Sequence, residues 1–248
     1  MTTVNPIPPV MRLWPIIVFL FGLISARAEK LPDVNVDTVV FKLLGKHSGL
    51  IAKGTCQQQQ RDDPKPISIP MDFMLSEGRM RIEIDLGAAK EEGSLFDSTG
   101  RLKKSGMNRL VKIVRADTGK TLAIFASWNC YVEIPAASIY TDLLDTNKYT
   151  LTGVAAGKDS VNGRVCNKSR LLLADKSGGR LSINAWYAPD LGHLPVQIQA
   201  LSSSIDTVTF DQVKTSKIEA AMFEPPPGAK RYNTIMEMLA EEIKRHRK

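Results

Sequence analysis

The chain has 248 residues, with 33 lysines and arginines against 26 aspartates and glutamates, and a net charge of +7. That length suits one domain with a sizeable core, and charges of mixed sign without basic–aromatic stripes argue against a nucleic-acid partner. The positive excess gathers in "KRHRK" (244–248), which reads as surface charge at a helix end, with weak attraction to anionic lipid head groups as the sharper alternative.

In chain order, Arg12 precedes the apolar run "LWPIIVFLFGLIS" (13–25), and Ala26 and Ala28 then give a small-x-small cleavage pattern. A signal peptide over residues 1–28 is expected, with export to the periplasm or cell envelope and a mature chain beginning at Glu29. The run is shorter than the ~20 residues of a spanning helix, Pro15 interrupts it, and no later stretch is apolar enough, so the mature chain should have no transmembrane segment. Cys56, Cys130 and Cys166 remain. An odd number in an oxidising compartment suggests one bridge and one free thiol, with Cys130–Cys166 a possible disulfide and three buried thiols the alternative.

Residues 33–47 carry Val36, Val40, Leu43 and Leu44 at helical spacing, with Asp33 placed to cap. Period two then takes over. Strands are expected at 49–58, 67–75, 79–86, 109–117, 121–127 and 130–134. In "RMRIEIDL" (79–86), Met80, Ile82, Ile84 and Leu86 face one way and the charged residues the other, the mark of an antiparallel sheet wetted on one face. Residues 87–106 read as a polar excursion, and Pro135 as the first turn of a helix over 135–145. Four more strands follow at 164–174, 180–188, 194–201 and 205–213. The last helix spans 232–248, capped by Asn233 or Thr234. Before it, "FEPPPG" (223–228) should stop the sheet and aim that helix, because three consecutive prolines remove three backbone donors. Phe223 should anchor the segment in the core.

The expected fold is α+β: an open or incomplete antiparallel β-barrel of about ten meandering strands, with short helices covering its mouth.

Chemistry is sparse. His47, His193 and His246 lie at no metal-ligand spacing, and "TGKT" (118–121) lacks the first glycine of a phosphate loop, as Val114 stands there. No nucleophile–base pair is evident, so catalytic residues, metal and cofactor are all expected to be none, and the protein is not expected to be an enzyme.

The order of "RMRIEID", "IFASWNCYVEI", "LPVQIQA", "VTFDQVK" and "AAMFEPPPG" resembles the periplasmic lipoprotein-carrier-like (LolA/LolB-like) superfamily, in an uncharacterised exported branch. The matching positions are Leu194, Pro195, Val196 and Ile198; Asp211 to Val213; Ala220 to Phe223; and Pro227-Gly228. The early hairpin "LSEGRMR" departs from the carrier proper, which has an arginine-proline pair there. The resemblance implies a half-barrel over 29–232 followed by a basic helix (233–248). It further implies an exported, non-enzymatic binder of lipid or acyl chains, possibly serving lipid or lipoprotein transport, whose partner is a lipid or lipidated protein. A protein-interaction or stress-sensing regulator with an envelope protein partner is the alternative. The apolar lining is expected to be Ile69, Met71, Phe73, Met80, Ile82, Ile84, Leu122, Ile124, Val196 and Ile198.

Overall fold

The computed structural model describes residues 36–44, 47, 49–60, 66–91, 106–135, 149–176, 178–202 and 204–246. All of them belong to one compact unit, Leu31–Lys248. The expected signal peptide, most of the helix expected at 135–145 and most of the 87–106 excursion lie outside the described residues.

Helix α1 (Val36–Leu44) leads into thirteen strands: β1 (Leu50–Gln60), β2 (Ile67–Ser76), β3 (Arg79–Asp85), β4 (Lys90–Glu91), β5 (Arg109–Arg115), β6 (Lys120–Phe125), β7 (Cys130–Pro135), β8 (Tyr149–Val161), β9 (Arg164–Asp175), β10 (Arg180–Ala188), β11 (Leu194–Leu201), β12 (Ser204–Thr215) and β13 (Lys230–Tyr232). Helix α2 (Ile235–His246) closes the described chain. The strands form one sheet in the order β13-β7-β6-β5-β3-β2-β1-β12-β11-β10-β9-β8, with β4 beside β2. Every pairing is antiparallel except β13 on β7, which is parallel. The sheet is open, with β13 and β8 at its two ends. It is larger than the ten strands expected, and β8 and β13 are the substantive additions.

Two meanders build it. One runs β2 to β7 and the other β8 to β12, and β1 joins them by pairing with both β2 and β12. A register shift at Lys53/Gly54 bends β1 where it meets β12. Gly54 is required there: a Cβ would lie 1.9 Å from the Thr209 carbonyl oxygen. With Ala52 and Gly54 small, Phe73 on β2 and Phe210 on β12 meet across β1 at a ring-centroid distance of 5.0 Å.

The proline segment does more than stop the sheet. After Thr215 the chain leaves mid-sheet, crosses one face and rejoins the sheet at the far edge as β13. Phe223 is 1 % exposed and packs with Val111, Ile113, Leu122 and Ile124. Arg81 donates to the Met222 carbonyl (3.2 Å), Arg115 pairs with Glu224 (2.5 Å), and the Lys230 N–H donates to the Asn129 carbonyl (2.9 Å). The crossing satisfies the prolines' lack of donors, because the segment needs no ladder until Lys230. Pro135 ends β7, paired with Lys120, and does not open a helix within the described residues.

Helix α2 is set by Thr234, whose hydroxyl accepts from the Glu237 N–H at 3.0 Å, while Glu237 accepts from the Asn233 N–H at 3.1 Å. This is a reciprocal capping arrangement. Ile235, Met238 and Leu239 are buried, and the helix packs on β7 and β13. Two of the terminal basic residues make contacts: His246 stacks on Trp128 with ring centroids 5.9 Å apart, and Arg245 pairs with Glu242 at 3.4 Å.

Candidate functional site

Residues facing each other across paired strands share a face, so the register decides which predicted lining residues meet. Met71 opposes Ile84, Phe73 opposes Ile82, and Leu75 opposes Met80. Across β1, Ile69 opposes Cys56, which opposes Val208 on β12, which opposes Ile198 on β11. Ile69, Met71, Phe73, Met80, Ile82, Ile84 and Ile198 therefore share one side of the sheet. Ile82 is half-buried and the other six are at most 4 % exposed.

The remaining three lie elsewhere. On β5 and β6 the face of Met80 and Ile84 continues through Leu110, Val114, Ala123 and Phe125. Leu122 and Ile124 point to the opposite side, under Phe223. Both parities of β5 and β6 are buried, because the crossing segment covers the second face. Val196 sits beside a register shift at Trp186/Tyr187 and packs with Trp186, Val161, Cys166 and Ala188. The ten residues are thus seven on one apolar side and three in two other clusters.

Two charged residues on the apolar side were missed from sequence. Lys112, 5 % exposed, opposes Ile82, and Asp206, 8 % exposed, opposes Ala200. Asp206 accepts from Ser204 Oγ (3.0 Å) and Gln58 Nε2 (3.3 Å). Burial pushes its carboxyl above the ordinary range, and those two hydrogen bonds oppose the shift. The signal for Lys112 was present in "LVKIV", where both alternating sets are apolar and the lysine must enter a dry face whichever way it points.

The possible Cys130–Cys166 disulfide is not formed, and all three cysteines are buried thiols, the alternative weighed from sequence. Cys130 is on β7 and Cys166 on β9, with β6, β5, β3, β2, β1, β12, β11 and β10 between them in the sheet. Burial, reinforced by Glu242, pushes the Cys130 thiol up to about 12, and burial likewise raises Cys166. Neither is a thiolate near neutral pH, so neither is an activated nucleophile.

The opposite, wetted side carries a groove of about 440 Å³ across β12, β1, β2, β3 and β5, lined by Lys53, Asp72, Glu83, Asp85, Arg109 and Asp211 among others. Its carboxylates are engaged. Asp72 pairs with Lys53 (3.9 Å), Glu83 with Arg81 (3.1 Å) and Arg109. Asp85 accepts from the Gly87 N–H (2.8 Å) and Asn108, and Asp211 accepts from Asn162. The groove presents interlocked ion pairs rather than an acid–base couple. Among the described residues no three His, Cys, Asp or Glu side chains converge as metal ligands, and no helix is long and apolar enough to cross a membrane.

No protein-family model matches the chain, and no curated protein matches it. Solved structures do align. A LolA superfamily protein from Nitrosomonas europaea is 8 % identical over 76 % of this chain and 95 % of its own, with a TM-score of 0.39. A putative outer membrane lipoprotein-sorting protein domain from Vibrio parahaemolyticus is 9 % identical over 71 % and 89 %, with a TM-score of 0.34. The Mycobacterium tuberculosis lipoprotein LppX is 12 % identical over 68 % and 90 %, with a TM-score of 0.28. The first of these belongs to the superfamily that the sequence resembles; the likeness is one of fold, and at these scores it carries no argument about ligand or partner.

Proposed function

We propose that this is an exported, non-enzymatic binding protein of the cell envelope, which holds an acyl chain or similar apolar ligand against the dry side of the sheet. The observation that carries this reading is the continuous apolar row across β3, β2, β1, β12 and β11, which is longer than any helix among the described residues. Twelve strands at about 4.8 Å spacing span roughly 55 Å, whereas a nine-residue helix such as α1 is about 13 Å long. The main contacts of α1 are with β11 and those of α2 with β7 and β13, on either side of β1, β2 and β3. The apolar rows of those central strands carry Met71, Met80 and Ile82, and methionine suits a pocket that adapts to its contents. Burying ten methylenes there would contribute roughly 8 kcal/mol at ~0.8 each, enough for micromolar binding with release.

Ile82, half-buried in that row, is the residue to change. Ile82→Glu should abolish uptake of a fluorescent fatty acid with the melting temperature within a few degrees of the parent, because a carboxylate opposite Lys112 would put an ion pair where the acyl chain packs. Asp72→Asn, on the wetted side, should leave uptake unchanged. Equal loss from both variants, each folded, would sink the reading, as would a native mass spectrum of envelope-purified protein without any co-purifying lipid mass.

A further inference from the structure

The sheet's two ends are unlike. At one end β13 has three residues and is covered by α2. At the other, β8 has thirteen residues and, among the described residues, a single neighbour, β9. A long free edge offers a row of backbone donors and acceptors to an incoming strand.

The edge is guarded along only half its length. Its second half carries a register shift between Ala155 and Lys158, with Gly157 at φ +90°, and then Lys158 and Asp159. Bulges and charges of this kind block strand addition. The first half, Thr150–Ala155, has no charge, no proline and no bulge, and Thr150, Thr152 and Val154 on one of its faces are exposed, Val154 by 67 %.

The charge around the edge selects the partner. Residues 149–180 hold Lys158, Arg164, Lys168, Arg170, Lys176 and Arg180 against Asp159 and Asp175, which is 6 − 2 = +4 of the chain's +7. Two of these cations are already used: Lys168 pairs with Asp159 (3.5 Å) and Arg164 with Asp190 (3.5 Å). Arg170 is exposed and stands directly opposite Val154 in the ladder, on the face that carries Thr150 and Thr152. A strand added beside β8 would lie two strand spacings, about 10 Å, from the β9 backbone, within reach of an extended arginine.

We infer that the Thr150–Ala155 edge of β8 takes up an extended acidic segment of a partner protein as an additional strand, its carboxylates on the Arg170 side. A second copy of the chain is the poorer occupant, since it would bring another +4 wing to the same edge.

The test is titration of the protein with a fluorescent nine-residue peptide alternating glutamate and valine, read by anisotropy. Binding should weaken about tenfold for the lysine-for-glutamate peptide and about tenfold for Arg170→Glu, a residue outside the apolar site, and should fall with added salt. Residues of one alternation present their N–H groups to one edge. N-methylation of all valines or of all glutamates should therefore abolish binding in one case and spare it in the other. Equal binding of both methylated peptides would reduce the contact to surface charge and overturn the inference. So would absence of peptide binding, whether sedimentation then shows a β8-dependent dimer or Arg170 proves to be needed for phosphatidylglycerol vesicles instead. Fatty-acid uptake by Arg170→Glu should match the parent, so failure here is separable from failure of the apolar-ligand reading.

Discussion

Asp206 is a carboxylate on the dry side of the sheet. In "SIDTVTF" it shares its alternation with Val208 and Phe210, and it is 8 % exposed. Its folded-state affinity for a proton is raised by burial, so the folded chain binds more protons than the unfolded chain above the ordinary aspartate range. Stability therefore falls as pH rises through that window and is fully present below about pH 4. Asp206→Asn keeps acceptor and donor capacity toward Ser204 and Gln58 and removes the charge. Thermal melts should show the variant more stable than the parent at pH 7 and equal to it near pH 3.5. A variant less stable at pH 7 would mean that the ionised form is favoured in the fold. Glu242 poses the complementary case. It is 1 % exposed, Tyr232 donates to its Oε1 at 2.5 Å, and its Oε2 has no hydrogen-bond donor among the described residues, with His246 Nε2 3.5 Å away as a charge partner only when protonated.

At the scale of elements, strands were legible wherever one face was dry. β2 and β3 were placed within a residue by their alternation. β8 was missed because it has almost no alternation to read: between Thr150 and Ser160 nearly every residue is exposed. Edge position erases the periodicity that sequence reading depends on. The split of the expected lining has the same origin. Leu122 and Ile124 alternate as cleanly as Ile82 and Ile84, but period two gives a strand's two faces without saying which is which. Only pairing settles it, and a strand covered on both sides offers two apolar sets. The terminal helix is observed over Ile235–His246 against the expected 232–248, and its closing basic residues read from sequence as surface charge. The contacts of Arg245 and His246 with Glu242 and Trp128 revise that. Truncation after Tyr232 removes the burial of Ile235, Met238 and Leu239 and should lower stability by about 5 kcal/mol. Truncation after Ile243 should lower it by about 1–3 kcal/mol, because buried Glu242 loses Arg245 and the His246 ring beside it. Glu242→Gln should recover most of that second loss. Equal melting temperatures for the parent and the Ile243 truncation would show that those partners contribute nothing.

For the molecule as a whole, the position of β1 governs the order of assembly. This strand enters first, yet one of its two neighbours is β12, from Ser204 to Thr215, so the centre of the sheet is completed by a pairing that spans some 150 residues of sequence. Contacts this distant are slow to form and exclude a folded state in which only the early chain is present. The meander from β2 to β7 can pair locally, but Ala52, Cys56 and Phe73 stay uncovered on the β12 side until the late strand arrives, and β7 waits for Lys230 to Tyr232. In pulsed hydrogen exchange during refolding, β1 amides should gain protection together with β12, after the β2–β3 hairpin; protection of β1 in step with β2 would contradict this order. A chain built so cannot lock its core before Ser204–Thr215 is available to pair, so synthesis must run through β12 before the centre of the sheet can close.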